Sequence, residues 1–165
     1  MYTKLGWIYQ ASEVFESLQK QDLVSWNALM AAFSQMGNIE KVSICFHQLS
    51  IEGLEPDTVT FSIILNAYSH AGLQNEGLIF FYTIINNYSF SPSLEHYTCM
   101  VDLFGRAGHF ENAVAVVKKA PTSDYLPIWT SLLGACQKWG NVELGRFAFN
   151  QLVQTQQSCS FSLCA

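Results

Sequence analysis

AAFSQMGNIEKVSICFHQL, residues Ala31–Leu49, has the pattern of a helix except that Gly37 stands at its centre. A glycine inside a helix is less favourable than alanine by about 1 kcal/mol, so its presence needs a reason. Apolar residues recur with helical spacing on both sides of this glycine. The first stripe is Trp26, Leu29, Met30 and Phe33, and the second is Val42, Ile44, Cys45, Phe46 and Leu49. The stretch therefore predicts two short helices of about 12 residues, joined by a turn in which Gly37 adopts a positive φ.

Glycines recur along the chain with spacings of 31, 35, 36 and 32 residues. They are Gly6, Gly37, Gly72, Gly108 and Gly140. Eleven residues before four of them stands an aromatic residue: Trp26, Phe61, Tyr97 and Trp129. Chance amphipathicity in an ordinary helical bundle is the alternative, but it does not account for columns that recur with this period. We therefore predict an all-α fold, an α-solenoid of helix-turn-helix repeats that forms an α-α superhelix like tetratricopeptide arrays.

Proline-containing segments separate the successive helix pairs, at residues 51–57, 88–93 and 119–127. Proline disfavours the helical conformation in the residue before it. The second helices of the pairs are therefore predicted to end because of Pro56, Pro92 and Pro121.

Composition narrows the class of protein. Half of the 165 residues are hydrophobic, 13% are charged, and the net charge is −5. This acidic balance argues against binding to nucleic acid through bulk electrostatics, which needs a basic surface. No apolar run is long enough to cross a bilayer, so no membrane partner is expected. The five cysteines form no C-x-x-C pair, which favours a reducing compartment over a disulfide framework.

One 40-residue segment, DLVSWNALMAAFSQMGNIEKVSICFHQLSIEGLEPDTVTF, resembles a plant pentatricopeptide repeat. A tetratricopeptide array is the rival, but it keeps a fixed period of about 34 residues. The unequal repeat lengths resemble the P, L and S types of the plant family, and IWTSLLGACQKWGNVELGRFA resembles the E-type unit of organellar RNA-editing factors. The implied organisation is the end of a truncated repeat (1–22), P-, L- and S-type repeats (23–57, 58–93, 94–125), an E-type unit (126–153) and a disordered tail (154–165).

The resemblance implies that the chain binds single-stranded RNA, with one nucleotide per repeat. In the first full repeat it implies that Asn27 and Asp57 choose the base, with a preference for uracil over cytosine. It also implies that Val24 and Val59 flank the base. An amide has donors and an acceptor that suit a pyrimidine edge, and a carboxylate can orient it. The alternative for Asn27 is a hydrogen bond at the start of its own helix.

The later repeats carry weaker versions of this pair. Ser62 and Ser93 are the corresponding residues of the second repeat, and serine discriminates little between bases. Thr98 and Tyr125 correspond in the third repeat, where Tyr125 departs from the usual Asp or Asn and Glu95 replaces the apolar flank. Thr130 of the E-type unit is expected to contact a protein partner instead of RNA.

No catalytic residues are predicted. A nucleobase deaminase needs an H-x-E motif together with C-x-x-C cysteines that bind zinc. His109–Glu111 matches the first motif, but the second does not occur anywhere in the chain. The four histidines also lack the spacing of metal ligands. We therefore expect no enzyme activity, no cofactor and no metal, with a deaminase-bearing protein supplied in trans as a partner.

The predicted function is sequence-selective RNA binding in organellar RNA processing, such as C-to-U editing. The family implies a mitochondrion or chloroplast. Two alternatives stay open: a protein-interaction solenoid without RNA binding, and a truncated, non-functional fragment. Met1 begins inside a repeat, so we expect the chain to be a truncated gene model or a piece of a longer array.

Overall fold

The computed structural model describes residues 2–87, 91–122 and 126–162, which form α-helices and no β-strand. In chain order the helices are α1 (Tyr2–Ser17), α2 (Leu23–Ser34), α3 (Ile39–Ile51), α4 (Thr58–Ala71), α5 (Gln74–Asn87), α6 (Leu94–Arg106), α7 (Phe110–Lys119), α8 (Leu126–Trp139) and α9 (Val142–Ser162). The prediction of an all-α fold built from helix pairs is confirmed.

The helices form two compact units. The N-terminal unit, Met1–Phe90, contains α1 to α5, and the C-terminal unit, Ser91–Ala165, contains α6 to α9. In the N-terminal unit α2 packs against α1, α3 and α4, and α4 packs against α3 and α5. In the C-terminal unit α6 packs against α7 and α8, and α8 packs against α9. Each first helix thus contacts its own partner and, within its unit, the first helix of the next pair.

Apolar stripes of these helices form the core of each unit, as their spacing predicts. A cluster of the N-terminal unit consists of Trp26, Leu29, Met30, Val42, Cys45, Leu49, Ile64 and Ala67. Fully buried side chains of the C-terminal unit include Met100, Val101, Leu103, Ile128 and Leu132. The N-terminal cluster thus combines residues of α2, α3 and α4, and the C-terminal residues lie on α6 and α8.

Glycines with positive φ join the helices within the pairs. The φ angles are 65° at Gly37, 73° at Gly72, 80° at Gly108 and 68° at Gly140. After each glycine, the next N–H donates to a carbonyl five residues earlier, as in a Schellman turn. These bonds are Asn38 to Phe33 (3.1 Å), Leu73 to Tyr68 (3.0 Å), His109 to Phe104 (2.9 Å) and Asn141 to Cys136 (2.9 Å). The prediction of a turn is confirmed at these four glycines.

Gly37 has a second reason to be glycine. A Cβ atom built on it would lie 3.1 Å from the carbonyl of His70 and from the backbone nitrogen of Ala71. These atoms belong to the end of α4, so the turn between α2 and α3 packs directly against the next first helix.

At Gly6 the prediction of a turn is wrong, because α1 runs unbroken from Tyr2 to Ser17. A glycine inside a helix is less favourable than alanine by only about 1 kcal/mol. A Cβ at Gly6 would also meet nothing within 4 Å, so no close contact at this position requires a turn.

Pro56 does not end α3, contrary to the prediction. The helix stops at Ile51, and Gly53 follows with a φ of 74°. The N–H of Leu54 then donates to the carbonyl of Leu49 at 3.2 Å, which is the same turn as at the other glycines. Proline acts as predicted after α7, where Ala120 is extended immediately before Pro121.

The segment 154–165 was expected to be disordered, but α9 continues to Ser162. This stretch lacks a regular apolar stripe, yet it also lacks glycine and proline. Once a helix has formed, each added residue gains a hydrogen bond without a new nucleation step. The helix therefore extends past the last predicted repeat, and residues 163–165 lie outside the described structure.

Candidate nucleic-acid interface

The first helices of the N-terminal unit begin with the same capping arrangement. Before α4, the Asp57 carboxylate accepts the Thr60 N–H at 2.8 Å, and the Asp57 N–H donates to the Thr60 hydroxyl at 3.2 Å. Before α2, Asp22 and Ser25 form the equivalent pair of bonds at 2.8 and 2.9 Å. Such reciprocal bonds satisfy backbone donors that have no partner within the helix. They also fix the position of the Asp57 carboxylate.

Asn27 on α2 reaches across to this cap on α4. Its Nδ2 donates to Oδ1 of Asp57 at 3.2 Å, and its Oδ1 accepts the Thr60 hydroxyl at 2.8 Å. An ionised carboxylate is only an acceptor, so the amide nitrogen must face Asp57. The structure thus brings together the predicted pair, and Asn27 bonds to side chains of α4 instead of capping its own helix. One N–H and one lone pair of the amide remain for a ligand.

Asn27 lies at the edge of the core, with 7% of its surface exposed, and the Thr60 side chain is fully buried. Partial burial raises the pKa of Asp57, but hydrogen bonds to the carboxylate, led by the bond from the Thr60 N–H and assisted by the Asn27 amide, outweigh this effect. The pKa of Asp57 is therefore below its ordinary value. The carboxylate is ionised at neutral pH and holds the amide as an acceptor.

Two exposed valines lie close in sequence to this polar cluster. Val24 is 74% exposed in the first turn of α2, and Val59 is 51% exposed in the first turn of α4. These are the residues predicted to flank a base. Large aliphatic side chains at such positions leave apolar surface in water, and a ligand that covers it gains the free energy of burial.

The predicted pair of the second repeat is divided between the two units. Ser62 lies half-buried on α4 of the N-terminal unit. Ser93 precedes α6 in the C-terminal unit, where its N–H donates to Nδ1 of His96 at 3.1 Å. Its hydroxyl also lies 2.7 Å from the same nitrogen. The imidazole therefore takes the place that the Thr60 hydroxyl has before α4.

The third repeat offers less for a ligand. The Thr98 hydroxyl donates to the carbonyl of Leu94 at 2.9 Å within α6, and Tyr125 lies outside the described residues. Glu95 is exposed at the position of the apolar flank. In the last pair, the Thr130 hydroxyl likewise donates to the carbonyl of Pro127 at 2.9 Å.

Within the described part of the chain, the titratable side chains give no indication of a second site. Over the described ranges, no three His, Cys, Asp or Glu side chains lie together so that they could hold a metal ion. His109 directly precedes α7, in the turn where the spacing of the glycines places it. None of the helices in the described part of the chain is both long and apolar enough to cross a membrane.

Thr60 is the member of the site that the sequence analysis missed. The signal was available, because Asp22–Ser25 and Asp57–Thr60 both read D-x-x-S/T at the start of an apolar helix. That pattern predicts a cap, but it does not predict that the same hydroxyl also bonds to Asn27.

Comparison with protein families places these residues in a known repeat. Residues 21–70 match the PPR repeat family, and residues 95–123 match the PPR repeat. These two segments are therefore similar to pentatricopeptide repeats. Asn27, Asp57, Thr60 and both flanking valines lie within the first match.

Plant pentatricopeptide repeat-containing proteins align with nearly the whole chain. The pentatricopeptide repeat-containing protein At3g29230 of Arabidopsis thaliana is 38% identical over 93% of the chain, which covers 26% of that protein. At5g40410 of the same plant, named mitochondrial, is 36% identical over 94% of the chain, which also covers 26% of it. The chain thus spans about a quarter of the length of these pentatricopeptide repeat proteins.

Solved structures of the pentatricopeptide repeat protein PPR10 share the fold. PPR10 from maize aligns with 93% of the chain and 23% of its own length, with a TM-score of 0.72 and 22% identity. PPR10 in complex with an 18-nt psaJ RNA element aligns with 87% of the chain and 21% of its own length, with a TM-score of 0.74 and 19% identity.

Proposed function

We propose that this chain binds single-stranded RNA in a sequence-selective way as part of a pentatricopeptide repeat array. The observation that carries the proposal is the Asn27–Asp57 pair, an amide held by the carboxylate that begins the next repeat. Exposed valines in the same two first turns support it. PPR10, whose fold is similar, was crystallised with RNA.

The chemistry of the pair suits a pyrimidine. Asp57 and Thr60 each engage one polar atom of Asn27, which leaves one donor and one acceptor in a fixed plane. Uracil presents an N–H between two carbonyl oxygens, so it offers a donor beside an acceptor to that amide. We propose that Asn27 selects uracil over cytosine and that Val24 and Val59 pack against the two faces of the base.

This mode of binding is compatible with an acidic chain. The chain contains thirteen Asp and Glu residues but only eight Lys and Arg residues, so its electrostatic attraction to RNA phosphates is weak. One of the basic groups, Arg106, is also engaged by Asp102 at 2.6 Å. We therefore propose that contacts to bases, and not to the RNA backbone, provide the selectivity. The repeats after the first contribute little selection, because Ser62 and Ser93 discriminate weakly and the Thr98 hydroxyl is bonded within its own helix.

The test compares Asn27→Ala with Ser34→Ala. The Ser34 hydroxyl donates to the carbonyl of Ile63 at 3.0 Å, so this control also removes a bond between α2 and α4 but leaves the site intact. Fluorescence anisotropy with short RNAs that differ in one nucleotide measures the preference among the four bases. We expect the wild type and Ser34→Ala to prefer uracil. Asn27→Ala should lose about 2- to 10-fold of that preference, the effect of one or two hydrogen bonds.

Equal binding of all four bases by the wild type would rule out base selection by this repeat. The second candidate function, a protein-interaction solenoid, would then be favoured. The observation behind it is that Trp139, Phe147 and Phe149 are all about half exposed in the last helix pair, on a chain with a net charge of −5. Exposed aromatic side chains of this kind are typical of protein interfaces.

We further propose that the RNA-bound chain serves organellar RNA processing, such as C-to-U editing, as a PLS-type array with an E-type unit. A deaminase-bearing protein would act in trans, because H-x-E at 109–111 has no accompanying C-x-x-C. A relative named mitochondrial supports an organelle, and we propose a mitochondrion or chloroplast. Sequencing of a bound RNA after incubation with a cytidine deaminase, with and without this chain, checks this role. Conversion that does not depend on the chain would contradict it.

A further inference from the structure

The Thr60 side chain is fully buried at the centre of the polar cluster formed by Asn27, Asp57 and Thr60. We propose that Thr60 is a positioning residue for base selection, because its hydroxyl holds the Asn27 amide in the orientation that separates uracil from cytosine. This inference rests on the proposed RNA-binding function. It adds a third side chain to the pair that the repeat pattern identifies.

The Thr60 hydroxyl has one proton and two acceptors within reach. Its Oγ1 lies 2.8 Å from Oδ1 of Asn27 and 2.8 Å from Oδ1 of Asp57. The Asp57 oxygen already accepts the Thr60 N–H at 2.8 Å and the Asn27 amide at 3.2 Å. Donation to Asn27 therefore gives every acceptor in the cluster a donor, whereas donation to Asp57 leaves the buried Asn27 oxygen without one. Leaving a buried acceptor without a partner is unfavourable, so the proton belongs on the bond to Asn27.

Two contacts on two different atoms fix the plane of the Asn27 amide. Asp57 holds the nitrogen and Thr60 holds the oxygen. With Asp57 alone, the side chain can rotate about its last torsion, which is soft for asparagine. Uracil and cytosine differ in whether their N3 atom donates or accepts, so a freely rotating amide meets both pyrimidines. The hydroxyl of Thr60 therefore determines discrimination more than it determines total affinity.

The chain contains a matched control for this role. Ser25 is the third residue of the preceding repeat and caps α2 through Asp22 with the same pair of bonds. No asparagine bonds to that cap among the described hydrogen bonds of the N-terminal unit. Substituting Ser25 therefore removes a capping hydroxyl without touching Asn27.

The experiment uses the full 165-residue chain and RNAs that carry uridine or cytidine at the selected position. Thr60→Val removes the hydroxyl at constant shape, Thr60→Ser keeps it, and Ser25→Ala is the capping control. Anisotropy gives the ratio of the uridine and cytidine affinities, and thermal unfolding identifies the temperature range in which every variant is folded. NMR of the Asn27 side-chain amide measures how fast its protons exchange with water. Thr60→Ala replaces Thr60→Val if the valine variant does not fold.

Thr60→Val should reduce the uridine-to-cytidine ratio by about 2- to 10-fold and accelerate exchange of the Asn27 amide protons. Thr60→Ser and Ser25→Ala should keep both values. In an Asn27→Ala background, Thr60→Val should change the ratio no further. A Thr60→Val variant with an unchanged ratio and unchanged exchange overturns the inference and leaves the proposed function standing. A wild type without a base preference overturns both.

Discussion

At the scale of the residue, Gly37 and Gly53 share a left-handed backbone but differ in their surroundings. Both have positive φ, yet a Cβ at Gly53 would meet nothing within 4 Å, whereas one at Gly37 would lie 3.1 Å from the backbone of α4. Gly53→Ala should therefore lower the free energy of unfolding by about 1 kcal/mol, because alanine adopts a positive φ less readily than glycine. Gly37→Ala should lower the free energy of unfolding by about 1 kcal/mol or more beyond this backbone effect, because the added Cβ overpacks the contact with α4. Urea unfolding followed by circular dichroism measures the difference, and equal effects would show that the turn yields without strain.

The site shows what residue patterns can and cannot predict. The register set by Gly37 identifies Asn27 and Asp57, and the structure joins them at 3.2 Å. The burial of Asn27 and its bond to Thr60 were not predicted. They depend on how α2 and α4 are rotated against each other, and that rotation is set by packing across the repeats instead of by local sequence.

At the scale of the helix, substituting alanine for two glycines of the C-terminal unit should change the stability of the protein in opposite directions. A Cβ on Gly105 of α6 would lie 2.6 Å from the Cβ of Ala135 on α8, so the two helices would have to separate. Gly105→Ala should therefore destabilise by about 1–3 kcal/mol. Gly134 is exposed within α8 and would meet nothing within 4 Å. Gly134→Ala should stabilise by about 0.5–1 kcal/mol. Thermal unfolding measures both, and a neutral Gly105→Ala would show that the close approach is not required.

The ends of the helices could be predicted where a local residue pattern sets them. They could not be predicted where a helix that is already formed simply continues. The turns at Gly37, Gly72, Gly108 and Gly140 follow from a residue that tolerates positive φ between two apolar stripes. Gly6 is also a glycine at the repeat spacing but lies inside α1, which is continuous from Tyr2 to Ser17. The extension of α9 to Ser162 likewise follows from a helix that is already formed.

At the scale of the whole molecule, each of the two units has its own buried apolar side chains, and each contains a buried thiol. Cys45 belongs to the core of the N-terminal unit and Cys99 is buried in the C-terminal unit. Burial, assisted by the carboxylates of Asp102 and Glu95, raises the pKa of Cys99 to about 12. Burial also raises the pKa of Cys45, and the nearby Lys41 lowers it by less. Neither thiol should react with iodoacetamide until its unit opens.

Cavities in one unit should expose only the thiol of that unit. Met30→Ala and Leu132→Ala each remove a fully buried side chain, which costs about 2–5 kcal/mol. Met30→Ala should raise labelling of Cys45 by about tenfold or more and leave Cys99 unchanged, and Leu132→Ala should do the reverse. Mass spectrometry of the labelled peptides gives both rates in one sample. Labelling of both thiols in both variants would show that the units open together.

The packing of Gly37 against the end of α4 bears on where such arrays can gain or lose residues. Each first helix begins 14 residues before its glycine, at Leu23, Thr58, Leu94 and Leu126. From a glycine to the next first helix the distance is 21, 22 and then 18 residues. An insertion in a first helix would move its end away from the neighbouring turn, whereas one in a second helix or linker would not. Insertions and deletions are thus confined to one edge of the array, and the residues proposed to contact bases keep their phase when repeat lengths change.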